Sequence, residues 1–207
     1  MSNEKRTGIA TVGESGVLML GDPCYTLHGE TAKNSLGIED QSDLGSLIAK
    51  MGEGTPYIED GAAMLFLVRP DAAWIVRAEI SDEGAWGHRV ARLRMTAEIQ
   101  TAGVTRKEIG VADVDAGLMM VSDPLKTMFN PAPQTFAEDW GAFCDILNAH
   151  DEKHGHPTFF QAGEGAAVVT SSGMGDGVYP VTVEIGDDGF VQAVEIDFLP
   201  EEEDWED

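Results

Sequence analysis

Cysteine is scarce in this chain of 207 residues: Cys24 and Cys144 are the only two. A pair so far apart in sequence builds no disulfide framework, and a reducing cytosol fits best. Cations are scarce as well. Thirteen Lys and Arg face 37 Asp and Glu, for a net charge of −24. That balance makes nucleic acid an unfavourable partner, and an anionic membrane equally so, whereas a basic protein is the natural complement. No uncharged apolar stretch approaches the roughly 20 residues of a membrane span. The start, MSNEKRTGIA, carries two basic residues with no apolar segment behind them, unlike a secretory signal. The expectation is a cytoplasmic protein, and no motif asks for a cofactor.

What is present is an apolar fraction of 43%, ample for a core, and a phrase written twice. GVLMLGDPCY (16–25) returns as GLMMVSDPLK (117–126), so that Gly16, Met19, Asp22 and Pro23 align with Gly117, Met120, Asp123 and Pro124 at a constant offset. GAAMLFLV from Gly61 pairs with GAAVVTSS from Gly165, and AEISDEG from Ala78 pairs with VEIGDDG from Val183. Three landmarks in one order predict an internal duplication. The short apolar runs suit strands buried on both faces, and the Asp-Pro that follows ends each strand with an Asx-turn and a missing donor.

The third landmark is a hairpin signal in each copy. Val181, Val183 and Ile185 alternate with polar residues up to the turn Asp187-Asp188-Gly189, and Val191, Val194, Ile196 and Phe198 resume the pattern. Trp74, Val76, Ala78 and Ile80, the turn Asp82-Glu83-Gly84, then Val90 and Leu93 repeat it. Between the first two landmarks each copy predicts one helix. Thr135 and Glu138 have capping-box spacing ahead of Phe136, Trp140, Phe143, Cys144 and Leu147 on one face, with Gly155 as the stop. The other helix is weaker, with Ser42 or Asp43 as cap, Leu44, Leu47, Ile48 and Met51 as its stripe, and Gly52 as terminator. A three-stranded sheet with one helix is marginal alone. The prediction is therefore an α+β fold of mainly antiparallel sheets, with one helix per half and pseudo-twofold symmetry. Residues 1–104 form the first repeat and 105–200 the second, packed as one globular unit, followed by an acidic, disordered tail over 201–207.

The strand end GDPCY together with SSGMGDGVYPVTVEIGDDGFVQAVEIDF resembles an uncharacterised family found in bacteria and their phages. The resemblance covers mainly Val12 to Tyr25 and Val114 to Phe198, and Gly175 to Val181 is its most specific part. It implies a fold and a phage or mobile-element context, and it carries no catalytic residue across. The second copy departs from Cys-Tyr at Leu125 and Lys126.

Four constellations are candidates for chemistry or binding. Asp22, Cys24 and Tyr25 place a thiol after a tight turn, where it is either a nucleophile or a packed core residue. His150, His154 and His156 have metal-compatible spacing, although the dipole also favours His and Lys at a helix C-terminus. The loop holding Gly175, Asp176, Gly177 and Tyr179 frees backbone amides for an anion or a partner, or simply connects two strands. Trp205, inside the acidic tail, is a candidate anchor for a partner, whereas Trp74, Trp86 and Trp140 are expected to pack in the core or on the sheets. The function that follows is a non-enzymatic, acidic interaction protein: an inhibitor, an immunity-like protein or a particle component. The alternative is a hydrolase or small-ligand protein with Asp22, Asp123 and Asp176 clustered between the repeats.

Overall fold

Every residue of VLMLG is buried, because the strand it forms runs through the middle of the molecule with apolar neighbours on both faces. The computed structural model describes residues 4–27, 41–53, 55–60, 63–129 and 140–200. Within them the first half of the chain forms β1 (Glu4–Val12), β2 (Val17–Gly21), a single helical turn α1 (Pro23–Thr26), α2 (Gln41–Glu53), β3 (Tyr57–Asp60), β4 (Ala63–Leu67), β5 (Ala72–Asp82) and β6 (His88–Ala97). The second half forms β7 (Val104–Val114), β8 (Leu118–Ser122), a π-helical turn (Leu125–Phe129), α3 (Trp140–His154), β9 (Phe159–Ala162), β10 (Ala167–Ser171), β11 (Gly177–Gly186) and β12 (Val191–Asp197). The α+β, mainly antiparallel expectation holds.

The strands build two six-stranded sheets, β1-β5-β6-β12-β11-β7 and β3-β4-β2-β8-β10-β9. Leu18 and Leu20 of β2, Phe66, Trp74, Val121 and Val181 fill the space between the sheets. The alternate residues Val17 and Met19, with Leu65, Met120 and Val169, meet Leu44 and Met51 of α2 and Phe143 and Leu147 of α3 on the other side. The molecule thus has three layers: an outer sheet, an inner sheet and helices. Full burial of a side chain such as Phe143 contributes about 2–3 kcal/mol. Strands β2, β4, β8 and β10 of the inner sheet are buried at nearly every position, because that sheet has a core on both faces.

In each sheet the middle pair joins the two halves of the chain. β2 meets β8 with Leu20 opposite Val121, flanked by Met19 opposite Ser122 and Gly21 opposite Met120. β6 meets β12 with Arg94 opposite Glu195, flanked by Leu93 opposite Ile196 and Met95 opposite Val194.

Several expectations need correction. β1, β3, β7 and β9 were not foreseen, and each half contributes three strands to each of two sheets rather than forming one three-stranded sheet. Ser42, Asp43 and Gly52 lie within α2, which runs past the expected cap and stop. Thr135, Phe136 and Glu138 fall outside the described residues. Gly155 does end α3, with φ +78° and its amide on Asp151 O at 2.7 Å. Trp74 is fully buried and Trp140 packs against Phe143 with ring centroids 5.7 Å apart, but Trp86, on a 3₁₀ turn, is 67% exposed.

Candidate functional site

Asp22 stands where β2 ends. Its backbone is extended, with φ −66° and ψ 125°, and Pro23 occupies the first helical position, where a missing donor costs nothing. One carboxylate oxygen, Oδ1, accepts from Cys24 N at 2.7 Å and caps α1. The other, Oδ2, reaches across to the β7–β8 turn and accepts from Asp115 N at 2.8 Å and Ala116 N at 2.7 Å. Asp123 does the converse at the end of β8. Its Oδ1 accepts from Leu125 N at 2.9 Å, and its Oδ2 accepts from Gly13 N, in the β1–β2 turn, at 2.8 Å. Each aspartate therefore starts its own helical turn and braces a hairpin turn of the other half.

Both carboxylates are almost fully buried, at 0% and 1% exposure. Burial pushes the Asp22 carboxyl above the usual carboxylate range, while the amides of Ala116, Cys24 and Asp115 pull the other way. Backbone amides fill three of the acceptor positions of Asp22 and two of those of Asp123, and burial closes both carboxylates to solvent, which gives them a bracing task. Asp176 does not join them: it is exposed on the β10–β11 loop, and its Oδ1 lies 3.9 Å from where a Cβ on Gly117 would sit.

The residues after each Asp-Pro also reach across. The Tyr25 hydroxyl donates to Asp115 Oδ2, and that bond, with the negative charge behind it, pushes the phenol up to about 12. In the other half Lys126 Nζ donates to Thr11 O at 2.7 Å and also to Thr11 Oγ1. Cys24 is half-buried. Burial first, then the charges of Asp22 and Asp115, push its thiol up, which opposes the thiolate a nucleophile requires. Burial raises Cys144 as well, and both thiols are free.

The glycine loop is explained by its own packing. Ser172 Oγ donates to Gly175 O at 2.8 Å, and Tyr179 OH donates to the same carbonyl at 2.7 Å. The Gly175 amide goes to Ser172 O and the Ser172 amide to Gly117 O. A Cβ on Gly173 would stand 2.5 Å from Phe198 O, so only glycine lets the chain pass there. Tyr179 is buried edge-on against Phe198. Gly177 opens β11 and is exposed.

At the end of α3 the histidines gather around a residue that the sequence pattern did not single out. Asp151 is buried; its Oδ2 accepts from Thr158 Oγ1 at 2.5 Å, and its two oxygens lie 3.1 Å from His150 Nδ1 and His156 Nδ1. His154 stacks beside His150, with ring centroids 4.6 Å apart, and His150 meets the edge of Phe160 at 5.4 Å. His150 and His154 line an open cleft with Glu4, Arg6, Thr7 and Phe159. Among the described residues no three His, Cys, Asp or Glu side chains converge as a closed metal site. The one available signal for Asp151 was its place inside the run HDEKHGH.

Trp205 lies outside the described residues. No described helix is long and apolar enough to cross a membrane. In comparison with known proteins, no family model, curated relative or solved structure matches this chain.

Proposed function

We propose that the chain is a fused duplication that works as a non-enzymatic interaction protein, presenting an acidic surface to a basic protein partner. The duplication is supported by register. Leu20 and Val121 differ by 101 positions, as do Arg94 and Glu195, and in both sheets the flanking pairs map onto each other when the halves are exchanged. Asp22 and Asp123 brace each other's hairpin turns in the same sense, although the donor amides are not at exchanged positions: Asp115 and Ala116 serve Asp22, and Gly13 serves Asp123.

The observation that carries the functional proposal is where the charge lies. On the outer sheet Lys5, Arg6, Arg77, Arg89, Arg92, Arg94, Arg106 and Lys107 are matched in number by Glu4, Glu79, Asp82, Glu108, Asp113, Glu184, Glu195 and Asp197. Eight against eight leaves the outer-sheet strands neutral, so the whole surplus of −24 belongs to the inner sheet, helices, turns and termini. Many of the outer-sheet charges are mutually paired: Arg94 with Glu184 and Glu195, Arg106 with Glu195, and Lys5 with Glu79. A charge surplus confined to part of a molecule steers a complementary partner toward that part. The phage or mobile-element setting belongs to the same proposal and rests on the family resemblance.

The test is capture on the immobilised full-length chain followed by kinetics on the purified partner. The captured protein should be basic, and its association rate should fall about tenfold or more between roughly 0.05 and 0.5 M salt. An acidic partner, or a rate indifferent to salt, overturns the proposal.

A further inference from the structure

The cleft at the end of α3, where α3 meets β1 and β9, has a chemistry of its own. His150 and His154 are one helical turn apart, their rings adjacent and both lining the cleft. The carboxylate of Asp151 accepts only if His150 carries its proton on Nδ1, which leaves the Nε2 lone pair as the free donor. Asp151 is itself held by Thr158 Oγ1, so the ring is oriented from behind by a buried, hydrogen-bonded carboxylate. That arrangement, imidazole in front and carboxylate behind, is how metal-binding histidines are fixed and made more basic.

On the opposite wall Arg6 is neutralised by Glu4, its Nε on Oε1 at 3.0 Å, and its guanidinium also donates to Pro157 O at 2.5 Å. No free cation from that pair opposes a metal ion. His156 is turned elsewhere: its Nδ1 faces the other oxygen of Asp151, its side chain is 75% exposed, and it does not line the cleft.

We infer that His150 and His154 form an open, two-imidazole site for a borderline divalent transition metal such as Zn²⁺ or Ni²⁺, with Asp151 as positioning residue and the remaining coordination positions left to water or a partner's side chain. Imidazole donors select these ions over Mg²⁺ and Ca²⁺, which prefer oxygen.

The test is calorimetric titration of the full chain with ZnCl₂ and with NiCl₂, in excess MgCl₂ to occupy the carboxylates. One equivalent should bind. His154→Ala, at an exposed position that folding does not depend on, should lower affinity at least about tenfold, and His150→Ala likewise. Asp151→Asn should weaken binding about tenfold while keeping the stoichiometry. His156→Ala should leave it within about twofold. Because Asp151→Asn and His150→Ala also touch the fold, imidazole ¹⁵N spectra of the unaltered chain provide a second readout: Zn²⁺ should shift Nε2 of His150 and leave His156 in place. No saturable binding in Mg²⁺, a wild-type affinity in His154→Ala, or a loss in His156→Ala equal to that in His154→Ala overturns the assignment.

Discussion

Asp22 and Asp123 look like catalytic carboxylates when written as a repeated Asp-Pro, and their environment gives them another task. Each accepts amides from its own helical turn and from a hairpin turn in the other half of the chain. Replacing either by alanine strands buried donors, which costs about 3 kcal/mol. Asp22→Ala should be the more damaging, since it releases three amides where Asp123→Ala releases two. Urea unfolding measures this; midpoints unchanged from wild type would contradict it. The aspartates were legible as strand terminators because local turn chemistry is written in adjacent residues. Their braces were not, because the partner amides lie 93, 94 and 110 positions away. For the same reason the sequence left Cys24 open as a nucleophile, whereas burial beside two aspartates makes it a poor one.

At the scale of elements, the buried strands and both hairpins were readable because apolar runs and alternation record burial directly. β1 and β7 were not. Their inward residues are small or few, Ala10 and Val12 in one and Ala112 and Val114 in the other, while the rest of each strand is largely polar or exposed. Gly16 and Gly117, in the turns that follow, have φ +61° and +63°, which costs other residues about 1 kcal/mol or more. Gly117→Ala should lose about that much. Gly16→Ala should lose about 2 kcal/mol, because its Cβ would also meet Val68 O at 3.1 Å. Thermal unfolding of the two variants tests the order, and the reverse order would refute it.

The middle pair of the outer sheet makes a pH prediction. Burial works against the charged form of Glu195, but Arg94 and Arg106 outweigh it and hold the carboxyl below its ordinary value of 4.5. A carboxylate with a depressed folded-state pKa adds stability above its unfolded value and loses it as the pH falls through the folded one. Glu195→Gln should therefore cost about 1 kcal/mol at pH 7. The gap from wild type should stay constant down to about pH 4.5 and close on further acidification. A gap that widened in acid would contradict the assignment.

Across the whole molecule two properties stand together: charge is balanced on the outer-sheet strands and unbalanced elsewhere, and both sheets are stitched through their centres by strands from opposite halves of the chain. Composition revealed the first only as a total, since −24 says nothing of where neutrality is kept. The second follows from the strand order, in which neither half owns a sheet. A half alone would expose an open strand edge in both sheets and the apolar faces of β2 or β8, conditions that favour aggregation over folding.

Severing the chain in the Thr101–Gly103 connection puts this most directly to the test. The two pieces, prepared separately and followed by circular dichroism and amide NMR, should each be unfolded or aggregated alone and should regain the dispersed spectrum of the intact protein as a one-to-one complex when refolded together. Two pieces that each unfold cooperatively on their own, and ignore one another when mixed, would contradict the account.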